Sequence, residues 1–228
     1  PLRELSVVSG PLARWLTYPE RRVAMAAAIG VLRTGDERPL HDVRMGGPIA
    51  GILGADALEI LVLRGDASDL PVVEAIVADA KIDADVLDAL ARFGHPGLWA
   101  FLAHHLEDED LVDDAAEALE VLFGARVEGA EGKLAGAWRS AVAEARLDPG
   151  VRYRRGVPFG PGVVADECLS GKLPETAIER RWAELSVRAG VDARPRFAGW
   201  STVRVPQVHA LAASGRAAQG AYPKNGWR

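Results

Sequence analysis

Two glycines thirty residues apart, Gly94 and Gly124, each close an apolar-striped segment of helical period, and Ala-Leu at 89–90 recurs at 118–119. A repeat of this length sets the fold. A helical pair so short cannot bury its apolar side alone, so neighbouring pairs must stack on it. In the later pair, Leu98, Phe101, Leu102 and Leu106 put one apolar face on a helix from His95 to Leu106. Glu107–Asp110 form an acidic turn that supplies a capping side chain and negative charge for the next helix start. From Leu111 to Phe123, Val112, Ala115, Ala116, Leu119 and Leu122 line the inner side and Asp113, Asp114, Glu117 and Glu120 the outer. Gly124 is placed to stop that helix at positive φ.

The earlier pair follows the same plan. A helix opens at Leu70-Pro71 with Val72, Val73, Ile76 and Val77 inward, 81–85 turns, and Val86, Ala89, Leu90 and Phe93 form the next stripe. Upstream, Tyr18–Ile29 reads as the second helix of another pair, with Val23, Ala26, Ala27 and Ile29 inward, and 55–63 as a further apolar helix. Apolar residues make up 49% of the chain but aromatics only 6%, so the core is built of Ala, Leu and Val, and small inner residues allow close helix packing. The expected fold is all-α: a right-handed α-solenoid of HEAT-like helical hairpins over residues 1–125. A C-terminal helical cap over 126–214 contains a short extended or loop segment, and 215–228 is a flexible tail. The cap helices are expected at 134–146 (Leu134, Trp138, Val142 and Ala145 inward), 174–189 (Ile178, Trp182, Leu185 and Ala189) and 202–213 (Val205, Val208, Leu211 and Ala212), with an extended piece at 151–155 before the Gly/Pro-rich 156–162.

No apolar run reaches the roughly eighteen residues a bilayer span needs, and the first ten residues carry no signal-peptide pattern. A single cysteine, Cys168, excludes an intrachain disulfide and points to a reducing cytoplasm.

The net charge of −5 is unevenly spread. Residues 48–125 hold three basic and seventeen acidic side chains; residues 126–228 hold seventeen basic and ten acidic. The middle would repel nucleic acid and steer a basic partner. The candidate binding face is therefore an acidic ribbon: Asp113, Asp114, Glu117 and Glu120 on one helix, with Asp85 and Asp88 one repeat earlier. An ordinary solvated face explains the same residues equally well. A basic patch of Arg152, Arg154 and Arg155 could meet an acidic partner, and is expected rather to pair with the chain's own acidic repeats.

Catalytic readings are weak. His104 and His105 with Glu107, Asp108 and Asp110 offer metal-ligand chemistry, but adjacent histidines diverge and a third ligand must come from elsewhere. Cys168 has two carboxylates beside it, Asp166 and Glu167, which oppose a thiolate. Gly160-x-Gly162-x-x-Ala165, with Glu184 beyond it, loosely fits a dinucleotide fingerprint, yet 151–155 is too charged for the preceding buried strand. Gly132-Lys133 and Gly171-Lys172 lack the rest of a phosphate loop. No catalytic residue, metal or cofactor is assigned.

The chain resembles a family of bacterial HEAT-repeat proteins of unknown biochemical function, often encoded near type VI secretion genes. The likeness rests on 57–66 (Ala-Leu-Glu-Ile-Leu-Val-Leu-Arg-Gly-Asp), 69–71 (Asp-Leu-Pro), 89–94 (Ala-Leu-Ala-Arg-Phe-Gly) and 115–124 (Ala-Ala-Glu-Ala-Leu-Glu-Val-Leu-Phe-Gly), then Trp138 followed by Asp148–Pro158. It spans roughly residues 15–190 as a pattern. Asp192-Ala-Arg-Pro-Arg196 departs from the family's Asp-x-Arg helix through its proline. Members extend further at the N-terminus, so the resemblance implies a fragment or a short paralogue. It implies no catalytic residues, and a non-enzymatic scaffold that binds another protein with a basic surface, as effector adaptor or immunity-type inhibitor. The alternative is a HEAT-fold enzyme or cofactor-handling protein, lyase- or glycosylase-like, with a pocket the sequence does not announce.

Overall fold

The computed structural model describes residues 9–124, 127, 133–170, 175–189, 206, 208–210 and 213, and these form helices with one two-stranded ribbon. In chain order the helices are α1 (Ser9–Ala13), α2 (Arg21–Arg33), α3 (Arg38–Arg44), α4 (Pro48–Leu53), α5 (Ala57–Arg64), α6 (Leu70–Asp79), α7 (Ala84–Phe93), α8 (Trp99–His104), α9 (Val112–Phe123) and α10 (Leu134–Glu144). The ribbon follows, with β1 (Tyr153–Arg154) antiparallel to β2 (Val157–Pro158), then α11 (Pro161–Leu169) and α12 (Glu175–Ala189). Among the described residues no single helix is long and apolar enough to cross a membrane. The helix expected over 202–213 falls mostly outside the described residues, and the tail at 215–228 entirely so.

The helices with strong stripes form where their periodicity puts them. In α2 the buried positions are Ala24, Ala27, Ala28, Val31 and Leu32, a 3-and-4 spacing. The inward face is thus turned one position from the expected Val23, Ala26, Ala27 and Ile29, and Ala26 is exposed. Helix α7 starts on Asp83, whose carboxylate accepts from Val86 N–H at 3.0 Å, and ends on Gly94 at φ 74°. Helix α9 ends on Gly124 at φ 75°.

The segment expected as one helix from His95 is shorter: a 3-10 turn at Pro96–Leu98, α8, then another 3-10 turn at His105–Glu107. Helices α3, α4 and α11 have no counterpart in the sequence reading. Each is nine residues or fewer, too short for a period to stand out, and α4 is started from a distance. Asp42 on α3 accepts from the backbone N–H of Ile49 and Ala50 at 2.8 and 3.1 Å.

Helix α5 is the centre of the fold. Every residue from Ala57 to Arg64 except Glu59 is buried, and α5 packs against α3, α6, α7 and α12. Helices α5, α7 and α9 pack in succession, with α8 against α9 and α10 against α8. One apolar cluster runs through all of these from Leu16 to Val187, and Trp138 and Tyr153 belong to it. A smaller one (Phe159, Val164, Ala165, Cys168, Trp182, Leu185 and Val208) joins α11 to α12.

Candidate functional site

Helix α12 decides which charged residues face solvent. Its apolar face, Ile178, Trp182 and Leu185, is buried as its spacing predicts, yet Arg181, Glu184 and Arg188 on the remaining surface are at most 2% exposed. The helix packs on α2 and α5, and its charged side reaches α7 through ion pairs. Arg92 of α7 donates to Glu59 of α5, to Asp88 at 2.8 Å and to Glu184 at 3.2 Å. Arg181 donates to Glu167 of α11 at 3.0 Å and to Asp88 at 3.4 Å. Arg154 reaches Glu167 at 2.9 Å and Glu184 at 3.1 Å. Buried charges are tolerable only when mutually paired, and this layer alternates sign across α5, α7, β1, α11 and α12.

The carboxyl groups are poised accordingly. Burial alone would raise Asp88, but Arg92 and Arg181 hold it well below the usual carboxylate range. Glu184 behaves alike: burial opposes its charge, and Arg154, Arg92 and Arg181 overcome it.

The expected basic patch is not a surface. Arg152 and Arg154 are 4% and 0% exposed, and their partners are not the repeats' acidic side chains. Arg152 donates to main-chain oxygens at helix ends: Phe93 at 2.5 Å, Gly65 at 2.6 Å, Arg92 at 3.2 Å and Val62 at 3.3 Å. A cation is favourable against the free carbonyls of a helix C-terminus, and here one guanidinium caps α5 and α7 together. Its charge also lies over the rings of Phe93 and Phe159. Arg155 is half-buried at φ 55°, in the turn between β1 and β2.

The ribbon thus laces three helix ends. Tyr153 N–H donates to Gly94 O, Arg155 N–H to Val121 O and Gly156 N–H to Leu122 O. We call residues 152–156 the strap.

Of the six acidic ribbon residues, four converge. Asp85, Asp88, Asp114 and Glu117 line a cleft of about 190 Å3 between α7, α9 and the N-terminal part of α12. Arg180 of α12 is the cation in its wall, donating to Asp85 at 2.6 Å and to Asp88 at 3.0 Å. Asp113 is exposed and Glu120 half-buried, and neither lines the cleft.

The other candidates lie apart. His104 is 72% exposed, 4.0 Å from Glu107, which accepts from Arg139. Among the described residues no three His, Cys, Asp or Glu side chains are grouped to hold a metal ion. Cys168 is buried in the α11–α12 cluster.

Sequence reasoning does not single out Glu59, Arg92, Arg180 or Arg181, and takes Glu184 only as part of a loose dinucleotide fingerprint, because charged positions on an amphipathic helix read as solvated. One signal pointed to them: an acidic middle and a basic C-terminal third in a single chain. Compared with known proteins, the chain matches no family model, no curated protein and no solved structure.

Proposed function

We propose that the chain is a non-enzymatic protein-binding scaffold, a right-handed α-solenoid of HEAT-like hairpins that receives a basic surface at the mouth of the α7–α9–α12 cleft. The observation that carries this reading is the cleft's charge: four carboxylates line it with Arg180 as the basic side chain in its wall, and of the four Asp88 is also held from behind by Arg92 and Arg181. Two of them, Asp114 and Glu117, have no ion-pair partner among the described residues, and Asp113 and Glu117 on the same helix face water. Unneutralised like charge on a rigid helix steers and selects an oppositely charged partner. Successive packing of α5, α7 and α9 supplies the rigidity. Guanidinium is a chemistry the cleft already accepts, since Arg180 sits in it.

The setting follows from the resemblance: a cytoplasmic bacterial protein near type VI secretion, acting as effector adaptor or immunity-type inhibitor. The test begins with the protein that co-purifies from the native cell. Its affinity is then measured across a salt series for the native chain and for a variant carrying Asp113→Lys, Asp114→Lys and Glu117→Lys. Binding through this face weakens with salt and is lost in the variant. Affinity that ignores both salt and charge reversal overturns the proposal.

A further inference from the structure

The strap is anchored at its start by a histidine. His95 links α7 to the Pro96–Leu98 turn, is 4% exposed, and stacks on Phe93. Its Nδ1 accepts from Gly97 N–H at 3.0 Å, so Nδ1 carries no proton. Its Nε2 lies 2.8 Å from the carbonyl of Pro149, so Nε2 carries the proton and donates. The Nδ1 contact requires the neutral imidazole, whereas Nε2–H can donate to Pro149 in either form, so the pair of contacts is complete only in the neutral ring. Pro149 belongs to the 148–151 turn that feeds the strap, and the same turn is tied to it by Asp148 N–H donating to Tyr153 Oη at 3.1 Å.

We propose that His95 is an acid-sensitive clasp, which holds the strap across the ends of α5, α7 and α9 when neutral and releases it when protonated. A second proton must go to Nδ1, where it would face the Gly97 N–H donor head-on. The ring then has to turn, and Pro149 loses its donor. Gly97 leaves no slack, since even a Cβ there would stand 3.1 Å from His95 Nδ1 and from Leu70 Cδ2. The charged neighbours are Arg152 of the strap, which opposes an imidazolium, and Glu74 of α6, which favours it; Asp148 opens the turn. Burial is the largest influence, and it lowers the imidazole's proton affinity.

The experiment is amide hydrogen exchange at Tyr153, Arg155 and Gly156, whose N–H groups bond to Gly94, Val121 and Leu122. It is compared with the NMR titration of the His95 ring in the same samples. Losing one buried hydrogen bond should cut protection about tenfold as pH falls from about 7.5 to about 5. The midpoint of that loss should be the imidazole's own. His95→Asn keeps an acceptor for Gly97 N–H but has no proton to take up, so its protection, corrected for intrinsic exchange, should be flat with pH. Undiminished strap protection while His95 titrates would overturn the clasp, as would a ring still neutral at the lower pH or a loss that persists in His95→Asn. Should that variant not fold, coincidence or separation of the two wild-type midpoints decides.

Discussion

Arg154 Nη2 stands 3.1 Å from Glu184 Oε2, and neither side chain is exposed to water at all. Between them they join the strap to α12, while Glu184 also receives Arg92 from α7. A buried ion pair of this kind is weak evidence for added stability, because desolvation offsets most of the attraction. Breaking it is another matter. Glu184→Ala leaves Arg154 and Arg92 short of a counter-charge and should cost about 3–5 kcal/mol in urea unfolding. Glu184→Gln keeps shape and acceptor but not charge, and should cost less. Equal and small losses in both variants would mean that water replaces the carboxylate.

Gly94, set beside Gly35, makes a second prediction. Gly94 and Gly35 both adopt positive φ, 74° and 82°. A Cβ on Gly35 meets nothing within 4 Å, whereas one on Gly94 collides with the Tyr153 carbonyl of the strap. Gly35→Ala should therefore show only the left-handed backbone penalty, about 1–2 kcal/mol. Gly94→Ala should exceed it clearly and should also expose the Tyr153 amide to exchange. The comparison separates backbone strain from strap displacement.

Gly94 and its counterpart Gly124 also show how much of the fold is legible in the sequence. Gly94 and Gly124 announced themselves as helix stops, and the stripes of α7 and α9 gave correct buried faces, because local periodicity and capping act within a few residues. That the same glycines open space for the strap was invisible: the approach of Tyr153 and Arg155 is a contact across some thirty to sixty residues. Arg152 and Arg154, expected to pair with the acidic middle of the chain, find other partners for a related reason. Their counter-groups are main-chain carbonyls and the far-off Glu167 and Glu184, and sequence pattern does not mark a carbonyl at a helix end as vacant. In α12 the period marks one apolar face and says nothing of Arg181, Glu184 and Arg188, which are buried as well.

Acid should act on the charged layer before it acts on the apolar core. Asp88 and Glu184 have folded-state proton affinities below their ordinary values of 3.8 and 4.5. Groups lowered in this way contribute stability that is present above the unfolded values and is lost as pH falls towards the folded ones. Urea midpoints should thus hold from about pH 7 to about pH 5 as far as these two groups are concerned, then drop. A chain with Asp88→Asn and Glu184→Gln starts lower and should fall more gently over that last interval. A parallel decline in the two proteins would assign the acid sensitivity to other carboxylates.

Adjacent arginines on α12 should give opposite results. Arg180 is 41% exposed and pairs with Asp85, itself 77% exposed, and with Asp88. Arg181, 2% exposed, is shared between Glu167 and Asp88. Exposed pairs are worth about 0–1 kcal/mol, so Arg180→Ala should barely move the unfolding midpoint. Arg181→Ala should cost about 3–5 kcal/mol, since it leaves buried Glu167 to Arg154 alone and removes one of the cations on Asp88. The functional consequence runs the other way. Without Arg180 the cleft wall loses its basic side chain, and Asp85, Asp114 and Glu117 are left facing the cleft while Asp88 stays paired with Arg92 and Arg181, so a basic partner should bind more tightly and with a steeper dependence on salt. Weaker binding by Arg180→Ala at unchanged stability would instead make Arg180 a contact for the partner, and its surface acidic rather than basic.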